Sequence, residues 1–163
     1  MSGKKPRKPK PILRNPFERA IDGARKISPM HRENIFGIID KAWKMMLAGE
    51  SRKLAWCDLV FASNMASELS DLGICSDDAS VKKIGDAQDV LIRFAGYAND
   101  WSKLTLTDED CAIMEEAIFL YGVQLDFVCV SEFETARRRV NVATDQARRG
   151  NVSKTTTVIN LSA

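Results

Sequence analysis

Residues 107–128 read TDEDCAIMEEAIFLYGVQLDFV, and this stretch decides the fold class. Thr107 followed by Asp108, Glu109 and Asp110 is a helix start: a hydroxyl to cap, then carboxylates where the helix dipole is positive. Cys111, Met114, Ile118, Tyr121, Leu125 and Val128 then recur at steps of three and four. A strand's two-residue period cannot produce this heptad-like seam. The seam serves either as core within one bundle, the default reading, or as a homodimer contact through this fifth helix.

The same signals extend in both directions. Downstream, Ser131 and Glu134 form an S-x-x-E box that starts a sixth helix. Its apolar stripe is Phe133, Ala136, Val140, Ala143 and Ala147, and Gly150 ends it; one long helix over 108–149 is the competing reading. Upstream, a fourth helix runs from about Ser80 to Asn99, with Val81, Ile84, Ala87, Leu91, Phe94 and Ala98 inward and Trp101 just beyond. Residues 74–80 are turn-like. A third helix is capped by Ser51, carries Leu54, Cys57, Phe61, Met65, Leu69 and Leu72, and closes at Gly73. A second starts at Ser28-Pro29, carries Ile35, Ile38, Ile39, Ala42, Met45 and Met46, and ends at Gly49. Asn15-Pro16 starts the first, with Phe17, Ala20, Ile21 and Ala24 on one face. The expectation is an all-α fold, a compact bundle of five or six helices with a basic, extended N-terminal arm. Residues 1–14 are the arm, 15–150 the helical domain and 151–163 a loose tail.

Composition agrees. A length of 163 residues supports one domain, and 45% hydrophobic content is ordinary for a globular chain. No run matches a membrane span, and the basic start lacks a secretory signal's apolar stretch. The four cysteines form no C-x-x-C pair, which points to free thiols and a cytoplasmic setting.

The net charge of +2 hides a segregation. Residues 1–54 carry 14 basic and 5 acidic side chains, residues 55–135 carry 4 and 16, and residues 136–163 carry 6 and 1. Lys4, Lys5, Arg7, Lys8, Lys10 and Arg14 lie in a stretch with prolines at 6, 9 and 11, which block a helix. Such an arm can lie along a polyphosphate and release counterions; it equally suits a solubilising tail. The second cluster is Arg137, Arg138, Arg139, Arg148, Arg149 and Lys154. The apolar stripe turns Arg137 and Arg138 away from the core and leaves Arg139 at its flank. These cations suit phosphate contact, or only the negative end of the helix dipole.

Chemistry is sparse. His31, the one histidine, lies in a helix first turn and reads as a surface or capping residue. With one histidine and no paired cysteines, a zinc site is disfavoured. Asp77 with Asp78 reads as a turn. Asp108, Glu109, Asp110, Glu115 and Glu116 read as helix-start electrostatics and a solvated face ahead of a magnesium site. Neither a Walker loop nor a G-x-G-x-x-G turn is present. An enzyme is the least supported class, and neither cofactor nor metal is expected. A helix-turn-helix reader would use the Gly49-Glu50-Ser51 junction and present Arg52 and Lys53, but Asp58, Glu68 and Asp71 on the same helix would repel phosphates.

The runs KPRKPKPILRNPFERAIDGARKI, DLVFASNMASELSDLGI and TDEDCAIMEEAIFLYGVQLDFVCVSEFETARRRV resemble a group of small uncharacterised proteins of proteobacterial phages, prophages and plasmids. Arg7, Lys8, Pro9, Lys10 and Pro11 match that group's basic-proline arm, and Met114, Glu116, Ala117 and Gln124 its long helix. The resemblance covers about residues 4–150 and implies a mobile-element protein of a bacterial cytoplasm, acting by binding. One expected partner is nucleic acid or a nucleoprotein complex, held by Lys4, Lys5, Arg7, Lys8, Lys10 and Arg14 with Arg137, Arg138, Arg139, Arg148 and Arg149. The alternative is a host defence complex, inhibited in an anti-CRISPR-like manner through an acidic surface that includes Asp108, Glu109, Glu115 and Glu116. A third reading is a self-associating structural protein using the fifth-helix seam.

Overall fold

The computed structural model describes residues 16–149. Within them run α1 (Pro16–Ala24), α2 (Pro29–Ala48), α3 (Arg52–Asp71), α4 (Asp78–Ala95), α5 (Asp108–Phe127) and α6 (Val130–Arg148), with one 3₁₀ turn at Trp101–Lys103. The fold is an all-α bundle. Among the described residues no helix is long and apolar enough to cross a membrane. The arm, the cap at Asn15, Gly150 and the tail lie outside the described residues.

α3 is the axis of the bundle and packs against α2, α4, α5 and α6. It is buried on nearly every side. Ala55, Ala62 and Ala66 let neighbouring helices approach, while Trp56, Leu59, Val60, Met65 and Leu69 fill the space between them. The Trp56 indole N–H donates to the Leu91 carbonyl at 2.8 Å and so locks α3 to α4. The expected one-sided stripe is therefore corrected: Leu54 is exposed, and polar Asn64, Glu68 and Ser70 are buried. Each of the three meets a distant partner. The Gln88 amide donates to Asn64 at 3.4 Å, the Arg139 guanidinium to Glu68 at 3.4 Å, and the Gln124 amide to Ser70 at 3.0 Å.

α5 crosses this axis through Gln124 and Gly122. The Gln124 amide nitrogen lies 3.0 Å from each of the Ala66 carbonyl, the Ser70 hydroxyl and the Ile74 carbonyl, tying α5 to the end of α3. Gly122 faces the Phe36 ring so closely that an added Cβ would stand 2.9 Å from it. Of the seam, Met114, Tyr121, Leu125 and Val128 are buried and Cys111 and Ile118 half-buried within the same core. The seam packs largely within the chain's own core.

Local signals set most helix ends. The Ser28 hydroxyl accepts the His31 N–H at 3.2 Å with Pro29 in the first turn, and Gly49 closes α2 at φ 77°. Thr107 and Asp110 bond each other's N–H groups in a capping box. Other ends need correction. Ser51 precedes α3 at φ 45° and makes no cap bond with its side chain. α4 begins at Asp78 behind an Asp77 cap and stops at Ala95. α6 starts one residue ahead of Ser131, because the Glu132 carboxylate accepts the Cys129 N–H at 2.9 Å. Ile21, Ile38 and Val81, expected inside, are exposed.

The α5–α6 break, which rules out one long helix, is held by the link between α1 and α2. Val130 N–H donates to the Arg25 carbonyl at 2.8 Å and Ile27 N–H to the Val128 carbonyl at 3.4 Å. The Lys26 ammonium stands over the Phe127 ring at 5.3 Å, and Gly23 sits close against Ser131.

Candidate nucleic-acid interface

The break at Val128–Cys129 sets the rotation of α6. Phe133, Ala136, Val140 and Thr144 are buried, so at 100° per residue Arg138 points opposite the core. Arg149 follows eleven residues later, about 16 Å along the axis and in nearly the same direction. Arg137 and Arg148 repeat that spacing on one flank, and Arg139 lies on the other.

The five arginines of this cluster fall into two groups. Arg137 donates to Glu134 at 2.7 Å, an exposed pair one turn apart. Pairs of this kind contribute roughly 0.2–0.5 kcal/mol and exchange readily for a phosphate. Arg139 meets Glu68, whose carboxylate is nearly buried, so its charge balances the interior. Arg137 and Arg139 thus each have a carboxylate partner within the bundle. Arg138, Arg148 and Arg149 are exposed, and none has a carboxylate within 4.0 Å among the described residues. Lys4, Lys5, Arg7, Lys8, Lys10, Arg14 and Lys154 lie outside the described residues.

Arg52, a candidate base-reading residue at the start of α3, is half-buried. Its guanidinium is turned inward and donates to the carbonyls of Trp101 at 2.9 Å, Leu104 at 2.8 Å and Met46 at 3.3 Å. It fastens the end of α2 and the 3₁₀ turn to the start of α3 through its Nε and Nη1 donors. Lys53 is exposed.

The acidic expectation is distributed along α5. Asp108, Glu109, Glu115 and Glu116 are all exposed, and Glu116 pairs with Lys83 of α4 at 3.3 Å. Asp110 belongs elsewhere. It is buried and paired with Arg93; burial pushes its carboxyl up, but the Thr107 N–H, Arg93 and the Thr107 hydroxyl outweigh that and hold it below the usual carboxylate range.

His31 is exposed, with its ring edge toward Phe133 at 5.9 Å. The four cysteines are free thiols. Burial, aided by nearby carboxylates, pushes the Cys57, Cys75 and Cys111 thiols above their ordinary range, the reverse of an activated nucleophile. Among the described residues no three His, Cys, Asp or Glu side chains stand close enough to share a metal ion. What the arrangement offers chemically is charge at a surface.

Sequence reasoning missed the Arg52 clamp and the Glu68–Arg139 pair. A junction arginine carries no local mark of its partners, and Glu68 meets Arg139 only once α6 is laid on α3. No protein-family model, curated protein or solved structure matches this chain.

Proposed function

We propose that this chain is a non-enzymatic accessory protein of a phage or prophage that binds nucleic acid, or a nucleoprotein complex, through its cationic ends in a bacterial cytoplasm. The observation that carries the reading is the set of exposed guanidiniums on α6, Arg138, Arg148 and Arg149, without carboxylate partners among the described residues. An unneutralised cation on a surface is free to replace the counterions of a phosphate backbone, and the basic arm adds six more cations. The resemblance to small mobile-element proteins supports the setting. The test is retardation of duplex DNA and of RNA at low salt. Full-length protein shifts one of them, and removing residues 1–14 weakens the shift and flattens its salt dependence. Absence of any shift refutes the reading.

A second reading is inhibition of a host defence complex through the acidic face of α5. Exposed Asp108, Glu109 and Glu115 favour it, having no cation within 4.0 Å among the described residues. Pull-down from nuclease-treated host lysate separates the two. Asp108→Lys with Glu116→Lys abolishes capture of a defined protein under this reading and leaves nucleic-acid retention intact under the first.

A further inference from the structure

We propose that two copies of this chain associate about a two-fold axis through the outer face of α2 and α5. The α2 helices cross antiparallel at Gly37, and Glu33 of each copy meets Lys41 of the other. α2 buries Ile39, Ala42, Trp43 and Met46, so at 100° per residue Gly37 points directly away from the core. Its φ is not positive, and a Cβ added there meets nothing within 4 Å. Neither the backbone nor the interior calls for glycine here, and glycine weakens a helix relative to alanine. What it provides is a flat spot where a second helix can approach.

The charges beside Gly37 are self-complementary. Glu33 and Lys41 lie one turn to either side of it, exposed and on the same face. Arg32 pairs with Asp126 and Lys44 with Asp40, but Glu33 and Lys41 have no opposite charge within 4.0 Å among the described residues. At eight residues, about 12 Å, they cannot reach each other along their own helix. A two-fold axis at Gly37 sets residue 33 of one copy level with residue 41 of the other, and does so twice. Met30, 72% exposed, falls level with the aliphatic stem of Lys44 by the same symmetry. α5 widens the face. The Arg32–Asp126 and Phe36–Gly122 contacts run in opposite directions along the two helices, so α5 lies antiparallel beside α2. Phe119, one turn before Gly122, is 73% exposed and stands about level with residue 39. The two-fold brings it within about 6 Å, along the axis, of its counterpart, and both rings leave water. Glu115, the acid of this face without a partner, stays about 18 Å from its counterpart, beyond the screening length. Two helices of 20 residues, each about 30 Å long and 10 Å wide, offer about 600 Å² per copy. The total of about 1,200 Å² reaches the lower bound for a specific interface.

Sedimentation equilibrium of the nuclease-treated full chain over a wide concentration range tests the proposal. The native chain is a reversible dimer. Gly37→Leu weakens association about tenfold or more, and its melting temperature as a monomer does not fall, because nothing inside the monomer adjoins that position. Glu33→Lys alone and Lys41→Glu alone each weaken association about tenfold or more. Both exchanges in one chain restore it to within about threefold, and an equimolar mixture of the two single variants associates where neither does alone. A native monomer at every concentration overturns the proposal. So does a dimer that both single reversals leave intact, or that the double exchange fails to restore. None of these outcomes bears on the nucleic-acid reading.

Discussion

Replacing Gln124 with Leu removes a donor from a pocket built of acceptors. The Gln124 side chain is fully buried, and its two amide protons serve the Ala66 carbonyl, the Ser70 hydroxyl and the Ile74 carbonyl, each at 3.0 Å. Ala66 sits within α3, and the Ser70 hydroxyl still donates to the Cys75 carbonyl at 3.2 Å, so these two lose a second partner, about 0.5–1 kcal/mol each. The Ile74 carbonyl, in the turn after α3, loses its donor at a cost of about 1–2 kcal/mol. The Gln124 carbonyl oxygen has no hydrogen-bond partner, so deleting it restores about 1 kcal/mol. The net loss is about 2 kcal/mol, which lowers the melting temperature by about 4–8 °C. Gln124→Glu sharpens the test. A carboxylate facing three acceptors must take up a proton, which raises its folded pKa above the unfolded value. Its penalty is therefore fully present at neutral pH, about 4 kcal/mol, and shrinks as pH falls toward about 4. Urea melts followed by far-UV circular dichroism at neutral and mildly acidic pH measure both effects. A Leu variant as stable as the native chain, or a Glu variant no worse than Leu at neutral pH, refutes the acceptor-pocket account.

Three further outcomes follow from other contacts. Gly122→Ala pushes a methyl to 2.9 Å from the Phe36 ring and costs about 1–3 kcal/mol in chemical melts, and adding Phe36→Leu recovers part of it. Arg52→Lys keeps the charge but cannot fork to three carbonyls, so it loses about 1–2 kcal/mol, with Arg52→Met losing more. Asp110→Asn loses about 2 kcal/mol at neutral pH. The native carboxyl titrates below its unfolded value, so its stabilisation is full above about pH 4 and lost as pH falls through the folded pKa. Stability of the Asn variant consequently depends less on pH in that acid range.

Local codes were readable and long-range ones were not. Ser28-Pro29 and Thr107 with its following carboxylates mark helix starts because their partners lie three residues away. Ser51 has the same composition but a left-handed backbone, which turns its hydroxyl from the helix. At α6 the Glu132 carboxylate reached the Cys129 N–H, so an S-x-x-E match at Ser131 named the wrong pair. α3 looked one-sided because alanines are silent in a pattern of large apolar residues. Its buried Asn64, Glu68 and Ser70 also looked like a solvated face until Gln88, Arg139 and Gln124 arrived from elsewhere in the chain. Of the candidate interface, the outward direction of Arg138 followed from the α6 stripe. The meeting of Glu68 with Arg139 depends on the packing of α6 on α3, which no local window contains.

The bridge between residues 26 and 129 makes α1 a clip fastened beside the α5–α6 break. This helix packs against α6, with Ala20, Ile21 and Ala24 facing solvent. Among the described residues, unzipping the clip opens the two hydrogen bonds at Arg25 and Ile27, the ammonium–ring contact of Lys26 and the packing of α1 on α6. Amide exchange at Val130 therefore reports release of α1, at a lower free energy than exchange in the centre of α3.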